Sequence, residues 1–259
     1  MKIIVLVKVV PDPDGIYALD SEGNVLSDEL PRLVSVFDEN AVEAGVQLRE
    51  DHGARVTALC YGRPDGDKTL IQALAIGADE AVLIEDPESA TRGSHTVAAV
   101  LTAAIRKLGG ADLIIAGRES SDVGNGLVGP LVAQLLGIPF LTLVVKIDVV
   151  GGEFRLARLA EGGYDVFGAT PPVLLTVSNQ LNYPRYPSVM NFLQAKKKPM
   201  QRWPVAELGI DLDPAADHQL RLLRRYQPIV LGDCHFAEGE TPRDRVSHFV
   251  RMLRAERLV

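Results

Sequence analysis

The sequence predicts an α/β protein built on a mostly parallel, doubly wound sheet with an inserted β-hairpin and an extended C-terminal arm. Three observations carry this. Short apolar runs alternate with longer segments of helical period. Several runs are apolar at nearly every position, as expected for strands covered on both faces. Glycine-containing turns join the runs to the helical segments.

Taken in order, residues 2–9 (KIIVLVKV), 55–61 (RVTALCY), 80–85 (EAVLIE), 112–117 (DLIIAG), 140–147 (FLTLVVKI) and 173–178 (VLLTVS) read as strands. The first intervening helix spans 38–52, where Ala41, Val42, Val46 and Leu48 keep one face apolar. Asp38 is its expected N-cap, with Glu39 in the first turn. Further helices are expected over 66–77, over 94–109 (opened by Ser94, closed by Gly109-Gly110) and over 124–137. Such alternation predicts right-handed crossovers.

Residues 148–170 break the rhythm. Glycine pairs at 151–152 and 162–163 flank the alternating run Glu153–Arg158, which predicts a β-hairpin before the last core strand. After residue 182, prolines at 184, 187, 199 and 204 disfavour long regular elements. A linker over Asp211–Asp217 and a terminal helix near 241–257 follow. The expected division is residues 1–200 as the α/β domain and 201–259 as the arm.

Composition narrows the function. Of 259 residues, 47% are hydrophobic and 24% charged, enough to bury a core without disulfides or metal. A net charge of −7 gives no basic field for nucleic acid. The two cysteines, Cys60 and Cys234, have no CxxC partner and read as free thiols in a reducing cytoplasm. The opening apolar run is too short for a signal peptide or a membrane span, so a soluble cytoplasmic protein is expected. The five histidines lack metal spacing, and Cys234-His235 with His248 makes only a poor ligand set.

The most informative stretch is DLIIAGRESSDVGNGLVGP at 112–130. A buried strand ends at Gly117, a polar glycine-rich loop follows, and a helix begins. At the C-terminal end of a parallel strand this geometry turns free amides outward, where a helix N-terminus adds about half a positive charge. A phosphate suits such a place. The same glycines also suit a purely conformational role. The loop is neither a P-loop nor a GxGxxG fingerprint, and no lysine follows to reach a γ-phosphate. No nucleophile elbow or catalytic pair is present, so the residues describe a binder.

The chain resembles the beta-subunit (FixA) family of electron-transfer flavoproteins along its whole length. The resemblance rests on LVKVVPD at 6–12, FDENAVEAGVQLRE at 37–50, ALAIGADEAVLI at 73–84, the 112–130 stretch, ARLAEGGY at 157–164, LNYPRYPSVMNFLQAKKK at 181–198 and EGETPRDRVSHFVRML at 238–253. It implies an adenine-nucleotide alpha-hydrolase-like fold and an obligate heterodimer with an alpha subunit carrying redox FAD. The beta subunit binds AMP in most members, or a second FAD in the electron-bifurcating subgroup. Carried over, the nucleotide site is Leu6, Ser35, Val36, Phe37, Asp38, Tyr61 and the loop Gly117, Arg118, Glu119, Ser120, Ser121, Asp122, Val123, Gly124, Asn125, Gly126, Leu127 and Val128.

The loop departs from the AMP pattern, which has lysine-glutamine where this chain has Arg118-Glu119. Val128-Gly129-Pro130 is closer to the bifurcating pattern, although Gly124 stands where that pattern has an aspartate. AMP and a second FAD both stay open, with a lean to FAD. The resemblance also makes Tyr186, Pro187, Ser188, Val189 and Met190 a docking loop for partner dehydrogenases, with Lys196 and Lys197 (and Lys198) steering an acidic surface. The expected role is electron transfer from an acyl-CoA-type dehydrogenase or NADH, through alpha-subunit FAD, to a quinone reductase or ferredoxin-type acceptor. No residue of this chain would make bonds, though a bifurcating complex would oxidise NADH. The alternatives are an adenine-nucleotide-hydrolysing domain, which lacks its pyrophosphate loop here, and a homodimeric nucleotide sensor, which leaves the hairpin and arm without a purpose.

Overall fold

The computed structural model describes residues 1–15, 17–20, 25–26, 30–212, 223, 226, 232 and 234–259. The chain divides into two compact units, Met1–Leu222 and Leu223–Val259. Most of the expected linker over Asp211–Asp217, and His218, lie outside the described residues.

In chain order the strands are β1 (Lys2–Val7), β2 (Val9–Pro11), β3 (Ala18–Leu19), β4 (Val25–Leu26), β5 (Arg32–Val34), β6 (Arg55–Gly62), β7 (Glu80–Glu85), β8 (Leu113–Gly117), β9 (Phe140–Val150), β10 (Glu153–Ala160), β11 (Gly163–Ala169), β12 (Val173–Val177) and β13 (Met200–Pro204). The helices are α1 (Val36–His52), α2 (Asp67–Ile76), α3 (Ser94–Lys107), α4 (Val128–Leu136), α5 (Val189–Ala195) and α6 (Pro242–Ala255).

Nine strands form one sheet in the order β11-β10-β9-β12-β8-β1-β6-β7-β13. Every neighbouring pair from β9 to β13 is parallel, while β10 runs antiparallel to both β9 and β11. The sheet is covered on both sides, as its apolar strands require. Ile3, Val5 and Val7 pack with α1 and α2, while Ile4 and Leu6 pack with α3 and α4. The residue alternation of β1 therefore feeds two separate cores.

The hairpin is present, and its first strand is the continuation of β9 out to Val150. The outer strand β11 is exposed almost throughout, with Tyr164, Val166 and Phe167 accessible. Sequence reasoning missed β13. Prolines 199 and 204 bracket it, and at a sheet edge only one side of the strand needs donors, so they are tolerated. The terminal helix α6 has a capping box between Thr241 and Asp244 and contains no buried residue. Among the described residues no helix is long and apolar enough to cross a membrane.

Candidate nucleotide crevice

From β1 the chain builds outward through β6 and β7, then returns to add β8 and β12 on the opposite side. The strand order therefore reverses between β1 and β8. At such a switch point the helices that follow go to opposite faces of the sheet, α1 to one and α4 to the other. The carboxyl ends of the strands between them form the crevice in which open α/β sheets take ligands. Leu6, aligned with Ala116 of β8 and Leu59 of β6, lies at this edge and is 5% exposed.

Two connections meet at the reversal. One is the entry to α1, from Ser35 to Asp38. The other is the loop from Gly117 to α4. Asp38 joins them: its Oδ2 accepts the Lys8 amide at 2.8 Å and its Oδ1 accepts the Gly117 amide at 3.0 Å. This corrects the expectation that Asp38 caps α1. Ser35 occupies the N-cap position, and its Oγ accepts the Ser121 amide at 3.1 Å instead of capping the helix. Both side chains are buried, so the start of the loop is fastened to α1 from two sides. Gly117 is required there, since a Cβ would fall 2.3 Å from Asp38 Oδ1 and 3.0 Å from the Phe37 carbonyl carbon.

Burial raises the Asp38 carboxyl to about 7, against the lowering effect of the two amides and the Lys8 ammonium. Lys8 Nζ donates to Asp122 Oδ1 at 2.8 Å and to Ser120 Oγ at 3.3 Å. Burial alone would raise Asp122, but Lys8 reverses this and holds its carboxyl below the usual range. Lys8 is a site residue the sequence reading missed. Its only signal was a lone charge interrupting the apolar run of residues 3–10.

Beyond Asp122 the loop is open to solvent, with Val123 60% and Leu127 46% exposed. Gly124 and Gly126 take positive φ (67° and 64°), and Leu127 returns to the right-handed region at φ −98°, ψ −29°. This alternation turns successive amides toward one side, the arrangement of an anion-binding concavity. The amides of Asn125, Gly126 and Leu127 have no acceptor among the described residues. The helix α4 begins only at half-buried Val128, later than the expected 124, because the left-handed glycines end the loop before the helix starts.

The crevice has further walls. Arg118 lies over the Phe37 ring at 5.6 Å and pairs with Glu119 at 2.5 Å. Val36 is 42% exposed at the start of α1. Tyr61 is buried, and its hydroxyl donates to Asp86 at 2.5 Å, so it supplies a wall rather than a free polar contact. Burial would raise Asp86; the Tyr61 hydroxyl and Arg92 reverse this and lower it. Asn125 donates to Ser94 Oγ at 3.2 Å, extending the polar lining to the first turn of α3. Among the described residues no His/Cys/Asp/Glu group has metal-holding geometry. The donor set and the glycine-lined cradle fit a phosphate-bearing ligand.

The residues expected to form the docking loop lie elsewhere, past the end of β12. Tyr186 is 97% and Val189 79% exposed, and Met190, Ser188, Lys196 and Lys197 are also open, while Pro187 is half-buried. Ser188 caps α5 in a capping box with Asn191. Lys198 departs from its expected steering role: its ammonium turns inward and donates to the carbonyls of Leu74 (2.9 Å) and Ala78 (2.6 Å) at the end of α2. The crevice and docking sets stay apart, and α1 touches both. Asn40 donates to Asn182, and Glu43 and Glu50 accept from Arg185, which sequence reasoning also missed.

These features define a doubly wound α/β protein with an anion-receptive crevice at its switch point. A family model for the electron transfer flavoprotein domain matches residues 24–208. The chain belongs to the electron transfer flavoprotein beta-subunit (FixA) family, whose role is electron transfer. It is 37% identical to the electron transfer flavoprotein subunit beta of Clostridium acetobutylicum, over 82% of this chain and 81% of that protein. It is 31% identical to the Bacillus subtilis subunit beta, over 99% and 98% of the two chains. It is 29% identical to CarD, a subunit of the caffeyl-CoA reductase-Etf complex of Acetobacterium woodii, over 100% of both. A beta subunit implies an alpha subunit as partner.

Proposed function

We propose that this chain binds an adenine nucleotide in the crevice between β1 and β8 and works with an FAD-bearing alpha subunit in the cytoplasm. The observation that carries the reading is the meeting of Ser35–Asp38 with the 117–128 loop at the sheet reversal, where three adjacent amides have no acceptor among the described residues. Phosphate oxygens would take the amides of Asn125, Gly126 and Leu127, and Leu6 and Tyr61 would wall the base. The nucleotide is AMP or a second FAD, and the Val128-Gly129-Pro130 sequence leans to FAD. In either case redox chemistry is supplied by flavin, while this chain binds and orients.

Electrons would pass from an acyl-CoA-type dehydrogenase or NADH through alpha-subunit FAD to a quinone reductase or ferredoxin-type acceptor. A relative named for its complex with caffeyl-CoA reductase supports an acyl-CoA-type redox partner. The exposed Tyr186–Met190 segment would dock it, with Lys196 and Lys197 favouring an acidic surface. The test is to co-express the chain with its alpha subunit and quantify nucleotides released on denaturation. One FAD and one AMP per heterodimer identifies a single-flavin carrier; two FAD identifies the two-flavin type, whose flavin NADH should bleach. No nucleotide beyond the alpha-subunit FAD would refute the crevice assignment.

A further inference from the structure

Asp38 stands where β1, β8 and α1 meet. Its carboxylate is committed on both oxygens to backbone amides of the two strand exits, Lys8 and Gly117. It fills the space that a side chain at residue 117 would need. Each oxygen is occupied by a backbone amide and the side chain is only 7% exposed, so it serves the loop and not the ligand.

We propose that Asp38 is the positioning residue of the nucleotide loop, and that its negative charge is required for the loop to hold the anionic part of the nucleotide. The proposal rests on the crevice reading above. An ionised carboxylate only accepts, so both amides are satisfied. Protonation turns one oxygen into a donor facing an amide, and one of the two struts is lost. Either loss loosens the loop at its origin, where Gly117 enters it and Lys8 tethers Ser120 and Asp122. It leaves the loop held by the Arg118 amide on Val177 and the Ser121 amide on Ser35 Oγ.

The groups facing Asp38 come from every neighbouring element. Lys8 follows β1, Asp122 belongs to the loop, and Cys60 lies on β6. The Cys60 thiol is pushed up to about 12 by burial and stays neutral. Lys8 is held by Asp122. Burial outweighs what they offer, and Asp38 titrates at about 7. Both of its states are then accessible near neutral pH, so the loop has a tightly held and a loosened form.

The test uses the full chain in complex with its alpha subunit. AMP and FAD retained beyond the alpha-subunit FAD are quantified after equilibration at pH 8 and at pH 6. With a group titrating at about 7, about a tenth is ionised at pH 6, so apparent affinity falls about tenfold. Asp38→Asn is expected to retain little nucleotide at either pH and to lose the pH dependence. The wild-type titration stands alone if that variant does not fold. Flat wild-type retention from pH 8 to 6, or a D38N variant that keeps the wild-type profile, overturns the role of Asp38. Absence of any second nucleotide at pH 8 overturns the crevice reading itself, a different result from flat retention.

Discussion

The buried carboxylate of Glu43 receives three hydrogen bonds from Arg185: from its amide at 3.1 Å, from Nε at 2.9 Å and from Nη2 at 2.9 Å. The same guanidinium reaches Glu50, further along α1, through Nη1 at 2.6 Å and Nη2 at 2.9 Å. Two carboxylates raise the pKa of Arg185 far above its ordinary value, with Glu50 the larger cause. The segment that carries Tyr186 and Val189 is thereby fixed to α1 from its first residues.

Removing the guanidinium leaves Glu43 buried, with the amide of residue 185 and the Gln47 side chain to bond it but no charge to balance it. Arg185→Ala is expected to cost about 3 kcal/mol, as for a buried ion pair that loses one partner. Arg185→Lys should recover less than half, because an ammonium cannot fork across two carboxylates. Urea unfolding of the full chain checks both, and a loss under 1 kcal/mol in R185A would show that the pair contributes little.

Gly117→Ala places a methyl group against Asp38 Oδ1, so backbone or carboxylate must shift. Overpacking of this kind costs about 1–3 kcal/mol. The retained nucleotide should fall in parallel, since the shift occurs at the origin of the loop. Thermal unfolding and nucleotide quantification on the same preparation test the coupling. Wild-type nucleotide content in G117A would contradict it.

Asp38 also sets a pH dependence of stability, opposite in sign to that of nucleotide retention. Its carboxyl moves from an ordinary value of 3.8 up to about 7 on folding, so the folded chain binds this proton more tightly. Stability from this group therefore falls as pH rises from about 4 to 7 and is level above. The nucleotide-free full chain should gain stability over Asp38→Asn as pH is lowered from 8 to 5. Urea midpoints for the two proteins at each pH give the answer, and a constant difference would contradict the buried charge.

Val189 is 79% exposed at the first position of α5. If it is the docking anchor, Val189→Leu adds one methylene, worth about 0.8 kcal/mol when buried by a partner, or roughly fourfold. The KM of an acyl-CoA dehydrogenase for the heterodimer should fall by that factor with kcat unchanged. An unchanged KM would move the docking site away from this segment.

Much of the fold was legible because its signals are local. The unbroken apolar runs at 3–7 and 113–116 read as strands buried on both faces, and Gly53 and Gly77 close the first two helices between them. Parallel pairing follows from that alternation, while the strand order, and with it the switch point, does not. What the sequence concealed is non-local. Asp38 has the look of an N-cap, and only the approach of β8 to β1 shows its oxygens turned to two strand exits. Lys8 and Arg185 are single charges in ordinary surroundings, and their partners lie more than a hundred residues away. β13 was hidden by prolines that a sheet edge accommodates. The loop glycines were visible, but the amides they orient depend on φ values that no residue type dictates alone.

The outer strand β11 has a consequence for how the protein stays in solution. Among the described residues it ends the sheet with an unpaired row of backbone groups, and it exposes Tyr164, Val166 and Phe167. Such an edge is a template for pairing with another copy. Wherever that edge stays uncovered, two molecules can join edge to edge and leave solution, so the chain's solubility depends on what lies against β11.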